Sequence, residues 1–247
     1  MKILAFETSA KAASAALLAD GILLGESYQN TGLTHSQTLL SMAESLMESC
    51  GVKPADVEAV GVAAGPGSFT GVRIGVAAAK GFAWGRELPC VGVSTLAAMA
   101  VGFGAWDGYV CPVMDARRSQ VYNALFRVDC GKYTRVREDR AISLRDLGED
   151  VKNLDKPIFL VGDGSVLCYN TLLETVPGLV LPPEHRRYQR ASGVALEAAR
   201  ILETGERPSG AELVPNYLRL SQAERERAER LAAEAAARNN DTENGKD

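Results

Sequence analysis

The order of predicted elements makes this chain an α/β protein of two related lobes, each a mixed sheet with helices packed on it. Two observations carry that expectation. The series strand, strand, strand, helix, strand, helix runs through the first hundred residues and then recurs in the second hundred. The composition, 46% hydrophobic and 23% charged over 247 residues, is that of a globular chain with a true core, long enough for one large domain or two small ones.

The first lobe opens with a strand over Lys2 to Phe6 that ends in the polar turn Glu7-Thr8-Ser9. Strands over Ala13 to Leu18 and Ile22 to Tyr28 follow, joined by Asp20-Gly21, a strong hairpin signal. From Ser36 the residues Leu39, Leu40, Ala43, Leu46 and Met47 recur at helical spacing, and Gly51 closes that helix. Val57 to Ala64 is almost wholly apolar and reads as a strand buried on both faces. Gly65-Pro66-Gly67-Ser68 turns it into a helix over Phe69 to Trp84. Val91-Gly92-Val93 is a short strand, and Ser94 caps a helix over Thr95 to Val101.

The second lobe repeats the order. Strands are expected at Tyr109 to Met114, Val121 to Val128 and Lys132 to Arg137, with a helix near Ser143 to Asp150 and a strand over Pro157 to Val161. Gly162-Asp163-Gly164-Ser165 leads into another helix, and Val194 to Leu202 forms a further one. The lobes divide at residues 1–105 and 106–220. Residues 221–247 are Ala/Glu/Arg-rich with little apolar stripe and read as a polar helical tail that loses order.

Composition excludes several classes. A net charge of −4 supplies no basic footprint for gripping nucleic acid, so a role on RNA needs a partner to hold the phosphates. Cys50, Cys90, Cys111, Cys130 and Cys168 are scattered and form no Cys-x-x-Cys pair, and the histidines are only His35 and His185. That inventory points to a reducing, cytoplasmic setting and to no metal site. Met1 to Phe6 is too short an apolar run for a signal peptide, and Leu88 to Gly104 is too broken for a membrane span.

The most distinctive stretch is Gly65-Pro66-Gly67-Ser68-Phe69-Thr70-Gly71. At a strand-to-helix turn it could aim backbone N–H groups at an anion, with Thr8 and Ser9 alongside, making Thr8, Ser9, Gly65, Gly67 and Ser68 candidate phosphate contacts. It lacks the Gly-Lys-Ser/Thr of a P-loop and the spacing of a dinucleotide fingerprint. The alternative is a tight turn whose glycines let backbones approach closely. Glu7 is a poor neighbour for phosphate unless a divalent cation intervenes. His35 reads as a helix-entry residue, and Asp115-Ala116-Arg117-Arg118 as an ion pair or partner contact. No Ser/His/Asp set emerges. The helix after the loop carries Gly71, Gly75, Ala78, Ala79, Gly81 and Ala83, a surface another backbone can approach.

These stretches together resemble the TsaB (YeaZ) family. The resemblance rests on Ile3 to Ser9, His35-Ser36, Ala64 to Gly75, Val91 to Leu96, Met114 to Arg118, Leu160 to Gly164 and Val214 to Arg219, in the family's order. Glu7 stands where the family commonly has Asp, and Gln37 where Glu is usual. The resemblance implies an actin/Hsp70/sugar-kinase-like (ASKHA, ribonuclease H-like) fold of duplicated lobes with mixed five-stranded sheets and flanking helices. It implies a non-catalytic scaffold for N6-threonylcarbamoylation of the adenosine next to the anticodon in tRNAs reading codons that begin with A. Its partners would be a TsaD-like metal-bearing paralogue and a TsaE-like ATPase, with homodimers a further state and tRNA met only through the complex. No cofactor of its own is implied, though a nucleotide could sit at a composite interface. Aligning Gly92-Val93 with the paralogue's Gly-Val strand puts Thr95 and Met99 where it carries two metal-binding histidines; neither replaces an imidazole. The expected pairing face is the two helices of the first lobe, exposing Leu39, Met42, Ala43, Leu46, Val72, Val76 and Ala79. A weak ATPase or small-molecule kinase of the same fold is the alternative.

Overall fold

The computed structural model describes residues 1–104, 107–219 and 230; apart from residue 230, the expected tail at 221–247 lies outside them. The chain opens with an antiparallel meander, β1 (Lys2–Glu7), β2 (Ala13–Ala19) and β3 (Ile22–Gln29). Then come α1 (His35–Ser49), β4 (Ala59–Gly65), α2 (Phe69–Trp84), β5 (Cys90–Ser94) and α3 (Thr95–Phe103). The second half runs β6 (Gly108–Asp115), β7 (Gln120–Asp129), β8 (Lys132–Ser143), α4 (Leu144–Val151), β9 (Ile158–Val161), α5 (Ser165–Leu172), β10 (Leu179–Val180), α6 (Glu184–Arg187) and α7 (Ala191–Glu203).

Two five-stranded sheets result, ordered β3-β2-β1-β4-β5 and β10-β9-β6-β7-β8. In both, an antiparallel meander is extended by two parallel strands on the side of its first strand. The duplication expected from element order is therefore a duplication of topology. Every residue of β4 is buried, which explains why its sequence is a continuous apolar run rather than an alternation. β10, at two residues, is too short to leave any periodic trace in the sequence.

Packing departs from the expected lobe boundary. α1 and α2 cover one face of the first sheet, through Leu39, Leu46, Val72 and Val76 against Leu4, Phe6, Val60 and Val62. Its other face is covered by α7, where Val194, Ala195 and Ala198 meet Ile3, Ala5, Ala63 and Val93. The segment after α7 returns to the same sheet, with Cys90 N–H donating to Pro208 O (2.9 Å) and Asn216 N–H to Ala64 O (2.6 Å). Residues 191–217, assigned by sequence to the second lobe, thus complete the first. Conversely α3, from the first lobe, lays Leu96, Ala100 and Phe103 on the second sheet against Val110, Met114 and Phe126. α4 and α5 close that sheet's remaining face. The two exchanged helices cross where Gly193 meets Ala98: a Cβ on Gly193 would lie 2.2 Å from Ala98 O.

Candidate functional site

The glycine-rich loop is built against the turn that follows β1. Ser68 N–H donates to Ser9 O (2.7 Å), and the Thr8 hydroxyl donates to Gly71 O (2.8 Å). Each glycine here sits where a side chain has no room. A Cβ on Gly67 would lie 2.5 Å from Ser9 O, one on Gly71 2.1 Å from Thr8 O, and one on Gly65 2.3 Å from Asn216 O. Gly65 also takes a φ of 122°, a conformation open to glycine alone. Ser68 spends its hydroxyl on capping α2, accepting from Gly71 N–H at 3.3 Å.

Thr8, Ser9, Gly65, Gly67 and Ser68, the candidate phosphate contacts, are therefore brought together, but packed on one another. Thr8 and Ser9 are sealed from solvent at 0% exposure. The geometry realises the close-approach reading of the loop. Glu7 adds to this: its buried carboxyl accepts from Ser9 N–H (2.5 Å), and burial, with the Asp163 charge, pushes it up to about 7.

The expected pairing residues are also corrected. Leu39, Met42, Ala43, Leu46, Val72, Val76 and Ala79 are all core, none more than 7% exposed. Their helical stripe faces the chain's own first sheet, because a stripe of that width is what a two-layer α/β packing consumes. What α1 and α2 present outward is the opposite side. On α2 this is Thr70, Arg73, Ala77, Gly81 and Trp84, and on α1 it is Gln37, Leu40, Ser41 and Glu44. Trp84 is 75% exposed, Leu40 57% and the preceding Leu33 58%. Around Gly81 a Cβ would meet nothing. A cleft of about 580 Å³ continues this surface past the end of α2, between Lys80, Trp84 and Glu87 and the chain at Arg207–Ala211. The outward residues recur every three to four positions, half a turn from the buried stripe, so a helical plot of Thr70 to Trp84 holds the signal.

Other singled-out residues have local duties. The His35 ring Nε2 lies 2.8 Å from Ala10 O, pinning the start of α1 to the turn after β1. Asp115 accepts from Arg117 N–H (2.7 Å) and pairs with its guanidinium at 3.7 Å, the ion-pair reading of that segment. Thr95 and Met99 lie one turn apart on buried α3. One cluster escaped the residue-by-residue reading. The Arg73 guanidinium lies over the Phe69 ring at 3.8 Å, its Nε donates to the Tyr217 hydroxyl (2.8 Å), and the two rings stack at 4.8 Å. It fastens the 216–219 segment to the first turn of α2 across 144 residues of sequence, a separation no local pattern reveals.

A family model described as "TsaD: tRNA N6-adenosine threonylcarbamoyltransferase" matches residues 29–156. The chain is 34% identical over 226 residues to the tRNA threonylcarbamoyladenosine biosynthesis protein TsaB of Bacillus subtilis, covering 91% of this chain and 96% of that one. It is 40% identical over 131 residues to TsaB of Escherichia coli, covering 52% and 56% of the two chains. Among solved structures, YeaZ from Pseudomonas aeruginosa superposes with a TM-score of 0.72 at 26% identity, over 88% of this chain and 99% of that one. Among the described residues no helix is long and apolar enough to cross a membrane.

Proposed function

The chain belongs to the TsaB (YeaZ) family, within the wider group that the transferase model matches, and from that membership we propose that it is a non-catalytic subunit of tRNA threonylcarbamoyladenosine biosynthesis. In this reading it docks a TsaD-type paralogue and holds it in the form that transfers the threonylcarbamoyl group, with a TsaE-type ATPase joining the pair. The product is the modified adenosine beside the anticodon of tRNAs reading codons that begin with A. The single observation that carries the docking reading is the outward side of α2. Small residues at Ala77 and Gly81, with Trp84 exposed on the same helix and Leu40 exposed on α1, are claimed by nothing in the chain's own core. Such a surface lets a partner helix approach to backbone distance while aromatic and leucine side chains supply the buried area.

Thr95 and Met99, standing at the paralogue's histidine positions, support leaving the metal chemistry to the partner. The kinase or ATPase alternative draws no support from the glycine loop, whose glycines are occupied by Ser9, Thr8 and Asn216.

The test is co-expression with the TsaD-type protein of the same organism, followed by size-exclusion chromatography with light scattering. Gly81→Arg and Ala77→Arg point a long charge outward; both are expected to fold and to abolish the one-to-one complex. Val76→Arg puts the same charge in the core, only 5% exposed, and is expected to unfold the chain instead. Co-purification of folded Gly81→Arg and Ala77→Arg with the partner at wild-type yield would refute this face. Turnover of a nucleotide by the isolated chain would revive the enzyme reading.

A further inference from the structure

β5 is the last strand of the first sheet, so one of its sides has no strand beside it. The pairing with β4 decides which backbone groups face that side. Val60 N–H donates to Pro89 O (2.9 Å) in this parallel pair. Pro89 and Val91 therefore turn their backbone polar groups toward β4, and Cys90 and Gly92 turn theirs outward. The chain covers the first of these itself: Cys90 N–H donates to Pro208 O (2.9 Å), and Pro89 forms an antiparallel bridge with Ser209. Gly92 is different. It is exposed, and its outward N–H and C=O have no partner among the described residues. A Cβ there would lie 2.6 Å from Leu213 Cδ1, so glycine is what lets Leu213 lie this close to the strand.

A groove of about 500 Å³ follows this open edge, with all five residues of β5 in its lining. Ile201, Leu213 and Val214 give it apolar surface, and Val214 is 69% exposed. Its charged lining is acidic, Glu206 and Glu212, both exposed. The neighbouring cations are spent on carbonyls: Arg207 donates to Leu202 O and Glu206 O, and Lys80 to Ala211 O and Leu213 O. Among the described residues no residue of α2 lines the groove, so the site stands apart from the docking face.

We propose that the edge of β5 at Gly92 is a docking site for an extended segment of a partner protein whose side chains alternate apolar and basic. A free strand edge is a template for one more strand. The incoming segment accepts from Gly92 N–H and donates to Gly92 O, and these main-chain bonds supply affinity while alternate side chains supply selectivity. Its apolar side chains lie against Ile201, Leu213 and Val214. Its lysine or arginine side chains meet Glu206 and Glu212, which repel an acidic strand from the same edge.

Amide NMR of the full, isotope-labelled chain, titrated with a blocked heptapeptide of alternating valine and lysine, tests this. The Gly92 amide signal is expected to move downfield and saturate, and its exchange with solvent to slow on the order of tenfold. The matching valine–glutamate peptide is expected to bind on the order of tenfold more weakly. A valine–lysine peptide N-methylated along its backbone keeps the charge but loses the donors, and is expected to leave Gly92 unmoved. Glu206→Lys combined with Glu212→Lys changes two exposed positions; it is expected to fold as wild type and to reverse the preference between the two peptides. No saturable shift at Gly92 up to about millimolar lysine peptide, an equal shift with the N-methylated one, or an unchanged preference in the double variant would each overturn the proposal. Two properties of the peptide-free chain would do the same. A Gly92 amide already protected would put the chain's own residues on the edge, and one that shifts with protein concentration would put a second copy there.

Discussion

Glycine has opposite meanings at two positions of a single helix. At Gly71 the backbone of α2 rests on the Thr8 carbonyl, so Gly71→Ala forces a Cβ to within 2.1 Å of that oxygen. The helix must shift off the β1 turn, breaking the Thr8-to-Gly71 hydrogen bond, and the expected loss is about 2 kcal/mol or more. Ten residues on, Gly81 faces open space. Gly81→Ala restricts the unfolded chain and touches nothing, so a gain of about 0.5–1 kcal/mol is expected. Urea unfolding of the isolated chain reads both through the shift in midpoint. Equal and small effects would mean that the loop is not packed as described. The sequence alone holds the motif but not this distinction, because both glycines sit in similar small-residue surroundings and differ only in what the fold brings opposite.

Among the elements, those with sustained period were legible and those defined by contact were not. α2 runs from Phe69 to Trp84, the bounds expected for the helix that follows the Gly65-Pro66-Gly67-Ser68 turn, and the hairpin at Asp20-Gly21 joins β2 to β3 as its turn residues dictate. β8 extends to Ser143, well past the expected Arg137, because half-exposed strands rich in Arg, Glu and Asp carry little alternation. The apolar stripe of α1 and α2 was visible, yet its destination was not: periodicity identifies the buried side of a helix without saying whether its own chain or another does the burying. The exchange of α3 and α7 was hidden for the same reason. It predicts unequal glycines at their crossing. Gly193→Ala drives a Cβ to 2.2 Å from Ala98 O, whereas one on Gly102 meets Gly193 at an ordinary 3.6 Å. Gly193→Ala is expected to lower stability by about 1–3 kcal/mol and Gly102→Ala to change it little. Thermal unfolding of the pair decides it, and equal values would deny a tight crossing.

For the molecule as a whole, neither sheet is covered by helices of its own half alone. The first borrows α7 from the end of the chain and the second borrows α3 from the beginning. The Tyr133 hydroxyl donates to Glu197 (2.9 Å) and the Ser94 hydroxyl to Asp139 (2.6 Å), bridging the halves at two further points. Halves joined this way are expected to unfold in one calorimetric transition whose van't Hoff and calorimetric enthalpies agree; two resolved transitions would contradict the interlock. The same borrowing has a consequence during synthesis. A nascent chain emerging from the ribosome has all five strands of its first sheet by Ser94, but the cover for one face of that sheet arrives only with residues 191–203. For the translation of about a hundred residues, several seconds at usual elongation rates, an apolar surface of Ile3, Ala5, Leu18, Ala63 and Val93 has no native lid. A chaperone holding that interval open, or a message truncated within it, decides whether a usable protein leaves the ribosome.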